Sequence, residues 1–233
     1  SEPAVALRNL RVAFGKVQVV DGVDLTVERG QALALIGESG SGKSVTLRSI
    51  LRLFPDGRSR IEGQILAAGR DVQALTKRQL ADFRGGAVSM IFQEPLLAFD
   101  PVYTVGRQIT EAILRHEKIS KDEARKRALA LFERVRIPSP ERRLDNYPHE
   151  MSGGMRQRAM IALALACRPQ VLLADEPTTA LDATVQIQVL LLLRELQRDL
   201  GLSIVIVTHD LGAAVEVADR IAVMYAGKIV ETG

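Results

Sequence analysis

The sequence of 233 residues predicts an α/β fold built on a parallel sheet. Short apolar runs at residues 32–36, 88–92, 171–174 and 203–207 have the length and composition of buried strands. Segments of helical character separate them, and each run ends in polar residues. In a sheet of this kind ligands bind at the carboxyl ends of the strands, so these polar residues are candidates for a site.

A glycine-rich turn follows the first of these strands. It reads GESGSGKS, with the G-x-x-x-x-G-K-S spacing of a phosphate-binding loop. We expect positive φ at its glycines, which would expose N–H groups to a polyphosphate, and a helix beginning near Lys43 whose dipole faces the same anion. Lys43 would add charge between the β- and γ-phosphates, and Ser44 would bind Mg²⁺. The expected contacts are Gly37, Glu38, Ser39, Gly40, Ser41, Gly42, Lys43, Ser44 and Val45.

Composition excludes several classes of protein. Hydrophobic residues make up 47% and charged residues 25%, which is ordinary for a folded globular chain. The net charge of +3 is too small to indicate nucleic-acid binding. No apolar run approaches the roughly 20 residues that a membrane span requires. Because no hydrophobic leader opens the chain and Cys167 is its single cysteine, we expect a reducing cytoplasmic setting.

The N-terminal segment predicts an antiparallel β layer. Apolar and polar residues alternate over 5–12 and 17–27, with turns expected at 14–16 and 21–22. This layer should lie beside the nucleotide. Phe14, at the first turn, has two interpretations: it stacks on an adenine ring, or it is a hydrophobic side chain that closes a hairpin.

From residue 105 to about 143 the pattern changes from strands to helices. Apolar residues recur there at helical spacing, and basic residues occupy the solvated face; the apolar positions are Ala124, Ala128, Leu131 and Val135. We therefore expect an α-helical subdomain at residues 95–152, inserted between two parts of a nucleotide-binding core at 1–94 and 153–233.

A second helix start is suited to an anion. Ser152 and two glycines precede the apolar helical segment 155–167. Arg156 and Arg158 lie in its first turns, where the helix dipole disfavours a cation unless an anion is near. Because this helix does not follow a sheet strand, we expect it to serve a nucleotide held by another subunit.

Polar residues end three of the predicted strands. Gln93 could contact Mg²⁺ or the attacking water, or simply face solvent. Asp175 is expected to hold Mg²⁺ through water, and Glu176 to act as a general base. Both can reach one site only if the chain turns there, which Pro177 favours. His209 could bond a γ-phosphate or position water.

Five stretches in this order resemble the nucleotide-binding subunit of an ATP-binding cassette (ABC) transporter: GESGSGKS, Gln93, SGGMRQR, LLADEPTTALD and VTHD. The resemblance implies a P-loop NTPase core of the RecA-like type, an ATPase reaction, and ATP and Mg²⁺ as cofactors. It also assigns roles: the aromatic A-loop residue Phe14, the Walker A loop 37–44, the Q-loop residue Gln93, the signature Ser152, Gly153, Gly154 and Met155, the Walker B residue Asp175, the catalytic base Glu176, the D-loop residue Asp182 and the switch residue His209.

The resemblance also implies partners. Two such subunits face head to tail, so that each signature covers the ATP on the other subunit's Walker A loop. Met155 departs from the usual signature glutamine, and SGGMRQR is similar to the ATPases of peptide, opine and nickel importers. This group implies integral membrane permease subunits, an indirect link to an external solute-binding protein, and a place at the cytoplasmic face of the cell membrane.

Two other functions compete with this interpretation. A non-transport ABC ATPase would act on nucleic acid or in translation, but such proteins usually carry coiled-coil, zinc-binding or tandem-cassette additions, and this sequence contains no such segment. A regulatory module would bind ATP without hydrolysing it. The presence of both Glu176 and His209 disfavours that second alternative.

Overall fold

A computed structural model describes residues 1–233. Strands and helices alternate through most of the chain, and three short 3₁₀ turns join some of them. In chain order the elements are β1 (Val5–Phe14), β2 (Val17–Val27), β3 (Ala32–Ile36), α1 (Lys43–Ile50), β4 (Arg60–Ala67), β5 (Arg70–Asp71), α2 (Lys77–Gly86), β6 (Val88–Ile91), α3 (Val105–His116), α4 (Lys121–Arg134), α5 (Pro140–Arg143), α6 (Gly153–Leu165), β7 (Val171–Asp175), α7 (Ala183–Leu200), β8 (Ser203–Thr208), α8 (Leu211–Val217), β9 (Arg220–Tyr225) and β10 (Lys228–Thr232).

The central sheet has six strands in the order β10-β9-β3-β8-β7-β6. Its strands are parallel except β10, which runs antiparallel to β9 at one edge. The predicted α/β fold is confirmed. Since β3 lies between β8 and β9, the turn that follows β3 is placed beside the ends of strands from distant parts of the sequence.

Both faces of this sheet are buried, which explains why its strands are apolar throughout. Successive side chains of a strand point to opposite faces. On β3, Leu33 and Leu35 pack in one core cluster with β1, β2 and α1, while Ala32 and Ala34 pack in another with α6 and α7. The sheet is thus held in place from both sides, and the strand ends that carry polar residues are rigidly positioned.

The antiparallel layer forms a second sheet in the order β2-β1-β4-β5. The turn expected at residues 21–22 is wrong, because β2 continues through it. Leu10 pairs with Val23 and Arg11 with Asp21, so Gly22 is an extra residue in a β-bulge, with φ of +81°. A bulge glycine and a turn glycine have the same sequence signal, and only the pairing with β1 separates them.

Helices α3 to α5 occupy the segment that the sequence predicted to be helical. Thr104 and Ser120 cap the first two, each accepting a bond from a backbone N–H in the first turn. Ile109 and Phe132 are fully buried in the same core cluster as Ala32 and Ala34 of β3. The division into a core and an inserted subdomain at residues 95–152 stays a prediction. No helix of the chain has the length and apolarity that crossing a bilayer requires.

Candidate functional site

The loop between β3 and α1 has the backbone of an anion site. Gly42 precedes α1 with φ of +98°, and no side chain caps the helix. Gly40 also has positive φ, at +81°. A helix start without a side-chain cap directs its N–H groups and the positive end of its dipole outward, where an anion can bind.

Gly37 differs from the expectation of positive φ at all three glycines. Its φ lies outside the left-handed region, so a side chain is not disfavoured by conformation. Space is the constraint, because an added Cβ would lie 2.5 Å from the Met224 carbonyl oxygen and 2.7 Å from Ser41 Oγ. The glycine lets the loop pass close to β9.

The Lys43 side chain is buried, with only 6% of its surface exposed. Its ammonium donates to the Glu38 carbonyl oxygen at 3.2 Å and lies 3.9 Å from Glu176 Oε1. A buried cation needs such partners. The loop therefore holds the ammonium at the cavity and beside an acidic side chain.

Asp175 ends β7 and is nearly inaccessible to solvent. Ser44 Oγ donates to its Oδ1 at 2.9 Å, and Arg48 donates to its Oδ2 at 3.1 Å. A hydroxyl beside a carboxylate is a pair of hard oxygen ligands that suits Mg²⁺, which commonly takes one or two carboxylates and completes its shell with phosphates and water. Arg48 belongs to none of the predicted motifs; the signal for it in the sequence is its spacing of four residues from Ser44, which puts both on one face of α1.

Glu176 follows Asp175 in a left-handed conformation, with φ of +47°. Its N–H donates to the Val207 carbonyl oxygen of β8 at 2.8 Å, and its Oε1 lies 3.0 Å from His209 Nδ1. A non-glycine residue in this region costs about 1–3 kcal/mol, and such strain often marks a functional position. The turn lets two consecutive carboxylates approach the loop, where a regular strand would point them apart.

Lys43, Glu176 and His209 line one cavity of about 650 Å³ at the carboxyl edge of the sheet. It is lined by the phosphate-loop residues, the carboxylate and imidazole just described, and three apolar side chains: Gly37, Glu38, Ser39, Lys43, Glu176, His209, Ile36, Leu211 and Val223. A helix start, an ammonium and a carboxylate on one cavity can bind a polyphosphate and remove a proton from an attacking water.

Several predicted site residues do not line this cavity, Ser44 and Asp175 among them. Gln93 is exposed beyond the end of β6, at the edge of the sheet. Phe14 ends β1 and packs edge-on against Phe54, with the ring centroids 5.1 Å apart. Neither lines the cavity. Their assigned contacts with Mg²⁺ and adenine stay predictions.

The second helix start belongs to α6. Ser152 caps it by accepting from the Met155 N–H at 3.2 Å, and it is exposed. The arginines that suggested an anion there have other partners: Arg156 donates to the Met151 carbonyl oxygen and Arg158 to the Val135 carbonyl oxygen, each at 2.9 Å.

The two arginines therefore give no independent sign of an anion, because backbone carbonyls stabilise both guanidinium groups. The pKa of Arg158 is lowered mainly by burial and to a smaller extent by the nearby positive charge of Arg136. The nucleotide contacts assigned to Ser152, Gly153, Gly154 and Met155 stay predictions.

Helix α6 also contacts the turn that follows Glu176. Gln157 is fully buried, its amide donates to the Pro177 carbonyl oxygen, and its own Oε1 has no partner. Asp182 caps α7 by accepting from the Val185 N–H at 3.0 Å. Gly154 is packed so closely that an added Cβ would lie 3.0 Å from Val185. The sequence analysis missed Gln157, since nothing local distinguishes it from a solvated glutamine.

Comparison with known proteins agrees with this geometry. The family described as ABC transporter matches residues 20–179. The chain is 50% identical over 232 residues to the oligopeptide transport ATP-binding protein OppD of Bacillus subtilis, covering 97% of this chain and 65% of that protein. It is 49% identical over 237 residues to the dipeptide transport ATP-binding protein DppD of the same organism, covering 100% and 71%. The chain spans about two thirds of the length of these relatives.

Solved structures with the same architecture include the dimeric post-hydrolysis state of the ATP-binding cassette MJ0796 bound to ADP and Pi. It superposes with a TM-score of 0.85 at 28% identity, covering 98% of this chain and 97% of that one. CbiO1 of Clostridium perfringens, part of the ABC transporter complex CbiONQ, gives 0.87 at 25% identity, covering 100% and 89%. The chain belongs to the ABC transporter family.

Proposed function

We propose that this chain binds ATP with Mg²⁺ and hydrolyses it to drive a membrane importer for peptides or related small solutes. The observation that carries the proposal is the convergence of Lys43, Glu176 and His209 on one cavity in a chain of this family. The solute class is supported by two relatives named for oligopeptide and dipeptide transport. The proposal extends to opines and nickel chelates because the SGGMRQR stretch resembles the ATPases of such importers.

Glu176 is the general base in this proposal. Its carboxylate borders the cavity beside Lys43, where it can accept the proton of a water that attacks the γ-phosphate. His209, 3.0 Å away, orients the carboxylate, and Lys43 with the start of α1 stabilises negative charge on the phosphate oxygens.

Ser44 and Asp175 would hold Mg²⁺, with Gln93 as a further ligand. The ion would neutralise charge on the β- and γ-phosphates. Support comes from the oxygen chemistry of the pair and from the 2.9 Å bond that fixes the Ser44 hydroxyl against the carboxylate. Phe14 would complete the ATP site by stacking on adenine.

A second cassette subunit, identical or paralogous, would complete the site. Ser152 and Gly153 are exposed at the start of α6 and do not line the cavity of their own chain. An exposed helix start can serve a phosphate on another subunit. Asp182, exposed at the start of α7, would lie at the same junction. A related cassette, MJ0796, is dimeric in its solved structures.

The permease subunits would dock beside Gln93. A groove of about 660 Å³ lies between α2, β6, α3 and α6 and is mostly apolar. Leu97, which lines the groove, is 80% exposed, and Val102, on the loop before α3, is 70% exposed. Exposed apolar side chains around a groove fit a short amphipathic helix of a partner. Such docking would place the chain at the cytoplasmic face of the membrane, linked only indirectly to an external solute-binding protein.

The Glu176→Gln variant tests the proposed reaction. It keeps the shape of the side chain and removes the base, so we expect MgATP binding to persist and hydrolysis to fall about 10²–10⁴-fold. Reconstituted with its permease in vesicles, the variant should also lose ATP-driven peptide uptake. Rate, nucleotide binding and uptake are measured together.

Glu216→Gln is the matched control. Glu216 is exposed on α8 and does not line the cavity, so this variant should retain the activity of the unmodified chain. Near-normal hydrolysis by Glu176→Gln would overturn the assignment of the base. If the unmodified chain hydrolyses ATP at its full rate beside the permease but no peptide enters the vesicles, the proposed role in import is wrong.

A further inference from the structure

We propose that Arg48 is a resident counter-cation of Asp175, which stabilises the nucleotide-free site and lowers its affinity for Mg²⁺. The inference rests on the proposed function, specifically on Ser44 and Asp175 as the Mg²⁺ ligands. It concerns a residue of this chain that none of the sequence motifs includes.

The contact is defined by geometry. Arg48 follows Ser44 by one turn of α1, so the two side chains extend from the same face of the helix. Ser44 occupies Oδ1 of Asp175 at 2.9 Å, and the guanidinium occupies Oδ2 at 3.1 Å. Both carboxylate oxygens are engaged from one helix, although Asp175 is more than 120 residues away in sequence.

Burial makes this partner necessary. The Asp175 side chain is 3% exposed, and an ionised carboxylate at such a position is costly without a cation. Arg48 is the only basic side chain within 4.0 Å of it, because Lys43 is directed toward Glu176. Arg48 itself is 44% exposed, so its side chain has solvent to move into.

The same contact opposes a divalent cation. The Asp175 carboxylate that pairs with Arg48 attracts an ion beside Ser44 less strongly. If the guanidinium stays on Oδ2 it repels the ion, and if it leaves, the energy of its pairing with Asp175 is lost. Binding of the ion and pairing with Arg48 are therefore coupled unfavourably, and the coupling acts in both directions.

Arg48→Met tests the coupling, because methionine keeps a long side chain and good helix propensity while removing the charge. At a fixed concentration of a fluorescent ATP analogue, we expect the half-saturating Mg²⁺ concentration to fall about 5- to 20-fold. Direct Mn²⁺ binding in the presence of ADP, followed by electron paramagnetic resonance, should tighten in parallel. Neither readout depends on hydrolysis.

Arg58→Met is the matched control. Arg58 is exposed on the loop after α1, and its side chain makes no hydrogen bond or ion pair. The variant has the same change in net charge, and its Mg²⁺ titration should agree with that of the unmodified chain within about twofold, because exposed charges are screened. Equal shifts in both variants would contradict a specific role for Arg48.

Thermal unfolding separates this role from a purely structural one. Without nucleotide, Arg48→Met leaves Asp175 unpaired, so its Tm should fall. MgADP supplies a new cation, and the rise in Tm on adding it should be larger for the variant than for the unmodified chain. If Arg48 only supported the fold, Arg48→Met would lower the Tm by the same amount with and without MgADP.

Ser44→Ala distinguishes failure of this inference from failure of the Mg²⁺ site. If nucleotide binding by Ser44→Ala keeps its full dependence on Mg²⁺, the proposed ligands are wrong. If Ser44→Ala loses that dependence while Arg48→Met titrates like the unmodified chain, or requires more Mg²⁺, the ligands stand and the role of Arg48 is wrong.

Discussion

Gly37 is a residue whose side chain is excluded by its neighbours. An added Cβ would lie 2.5 Å from the backbone oxygen of Met224, which cannot move without disturbing β9. We expect Gly37→Ala to reduce the free energy of unfolding by about 1–3 kcal/mol, the usual cost of overpacking, and to weaken ATP binding as the loop shifts. Urea unfolding without nucleotide and a binding titration measure the two effects.

Gly40→Ala is the comparison for that prediction. Gly40 has φ of +81° and nothing within 4 Å of an added Cβ, so only backbone strain opposes the alanine. That strain costs about 1–2 kcal/mol. If Gly37→Ala proves no more destabilising than a surface substitution, the space around the loop is not the constraint.

Glu176 shows how one residue's backbone determines a site. Its carboxylate reaches Lys43 and His209 because the chain takes φ of +47° after β7. The sequence DEP predicted that a turn was needed. Its N–H makes the last ladder bond to β8, to the Val207 oxygen, so the pairing of β7 with β8 decides where the chain can turn.

At the scale of elements, Asp219 links three parts of the core before β9. Its Oδ2 accepts from the Ala32 N–H at 2.9 Å and from the Gln197 amide at 3.2 Å, and its Oδ1 pairs with Arg194 at 2.8 Å. Burial raises the pKa of this carboxyl, but these hydrogen bonds and the charge of Arg194 outweigh it and lower the pKa.

A lowered pKa in the folded state has a defined effect on stability. The folded protein binds this proton more weakly than the unfolded chain, so the carboxylate stabilises the fold above the unfolded value of about 3.9 and loses that effect as pH falls through the lower folded value. We expect Asp219→Asn to reduce the free energy of unfolding by about 1–2 kcal/mol at pH 7, with the deficit shrinking below about pH 4.

The expected deficit is modest because 35% of the Asp219 side chain is exposed and solvent screens the ion pair. Urea unfolding at pH 7 and at a pH below about 4 measures it. Asp199→Asn on the same helix as Arg194 is the control, since Asp199 is exposed and lies 3.6 Å from Arg134. A deficit that grows on acidification would contradict the sign of the pKa shift.

Helix α6 is a second case at this scale. Its apolar composition correctly predicted burial, but its two arginines have partners that explain them without an anion. They donate to carbonyls of Met151 and Val135, which belong to segments that pack against the helix start. Because arginine has a long side chain and several donors, its partner cannot be inferred from its position on the helix.

At the scale of the whole molecule, the separation of Ser152 from the cavity of its own chain leads to a test of pairing. The Lys43→Ala and Ser152→Arg variants should each be inactive alone. In a dimer of either variant, both ATP sites lack one of the two groups that they need. Mixed in equal amounts, they should recover about one quarter of the hydrolysis rate, because random pairing places an intact Lys43 opposite an intact Ser152 in that share of sites.

The ATPase rate of the mixture is measured across a range of protein concentrations, and specific activity of the unmodified chain should also rise with concentration. The control is a mixture of Lys43→Ala with Lys43→Met, which has no intact site in any pairing. Recovery that does not depend on mixing, or full activity at high dilution, would show that one chain completes its own site.

The sequence by itself determined four of the six strands of the central sheet, the phosphate loop and the polar strand ends. These are local properties: apolar runs form buried strands, and the G-x-x-x-x-G-K-S spacing defines a loop through a few consecutive residues. It also correctly placed the antiparallel layer, except for the turn at residues 21–22.

Only the tertiary structure decided which groups touch. The pairing of Arg48 with Asp175, the bond from Gln157 to the Pro177 oxygen and the close approach of Gly37 to Met224 each join segments far apart in the chain. Such contacts depend on the order of the strands and on side-chain packing between layers, which no short window of sequence contains. A side chain that is locally typical of a solvated surface becomes a counter-ion or a buried link when the sheet brings a distant strand end beside it.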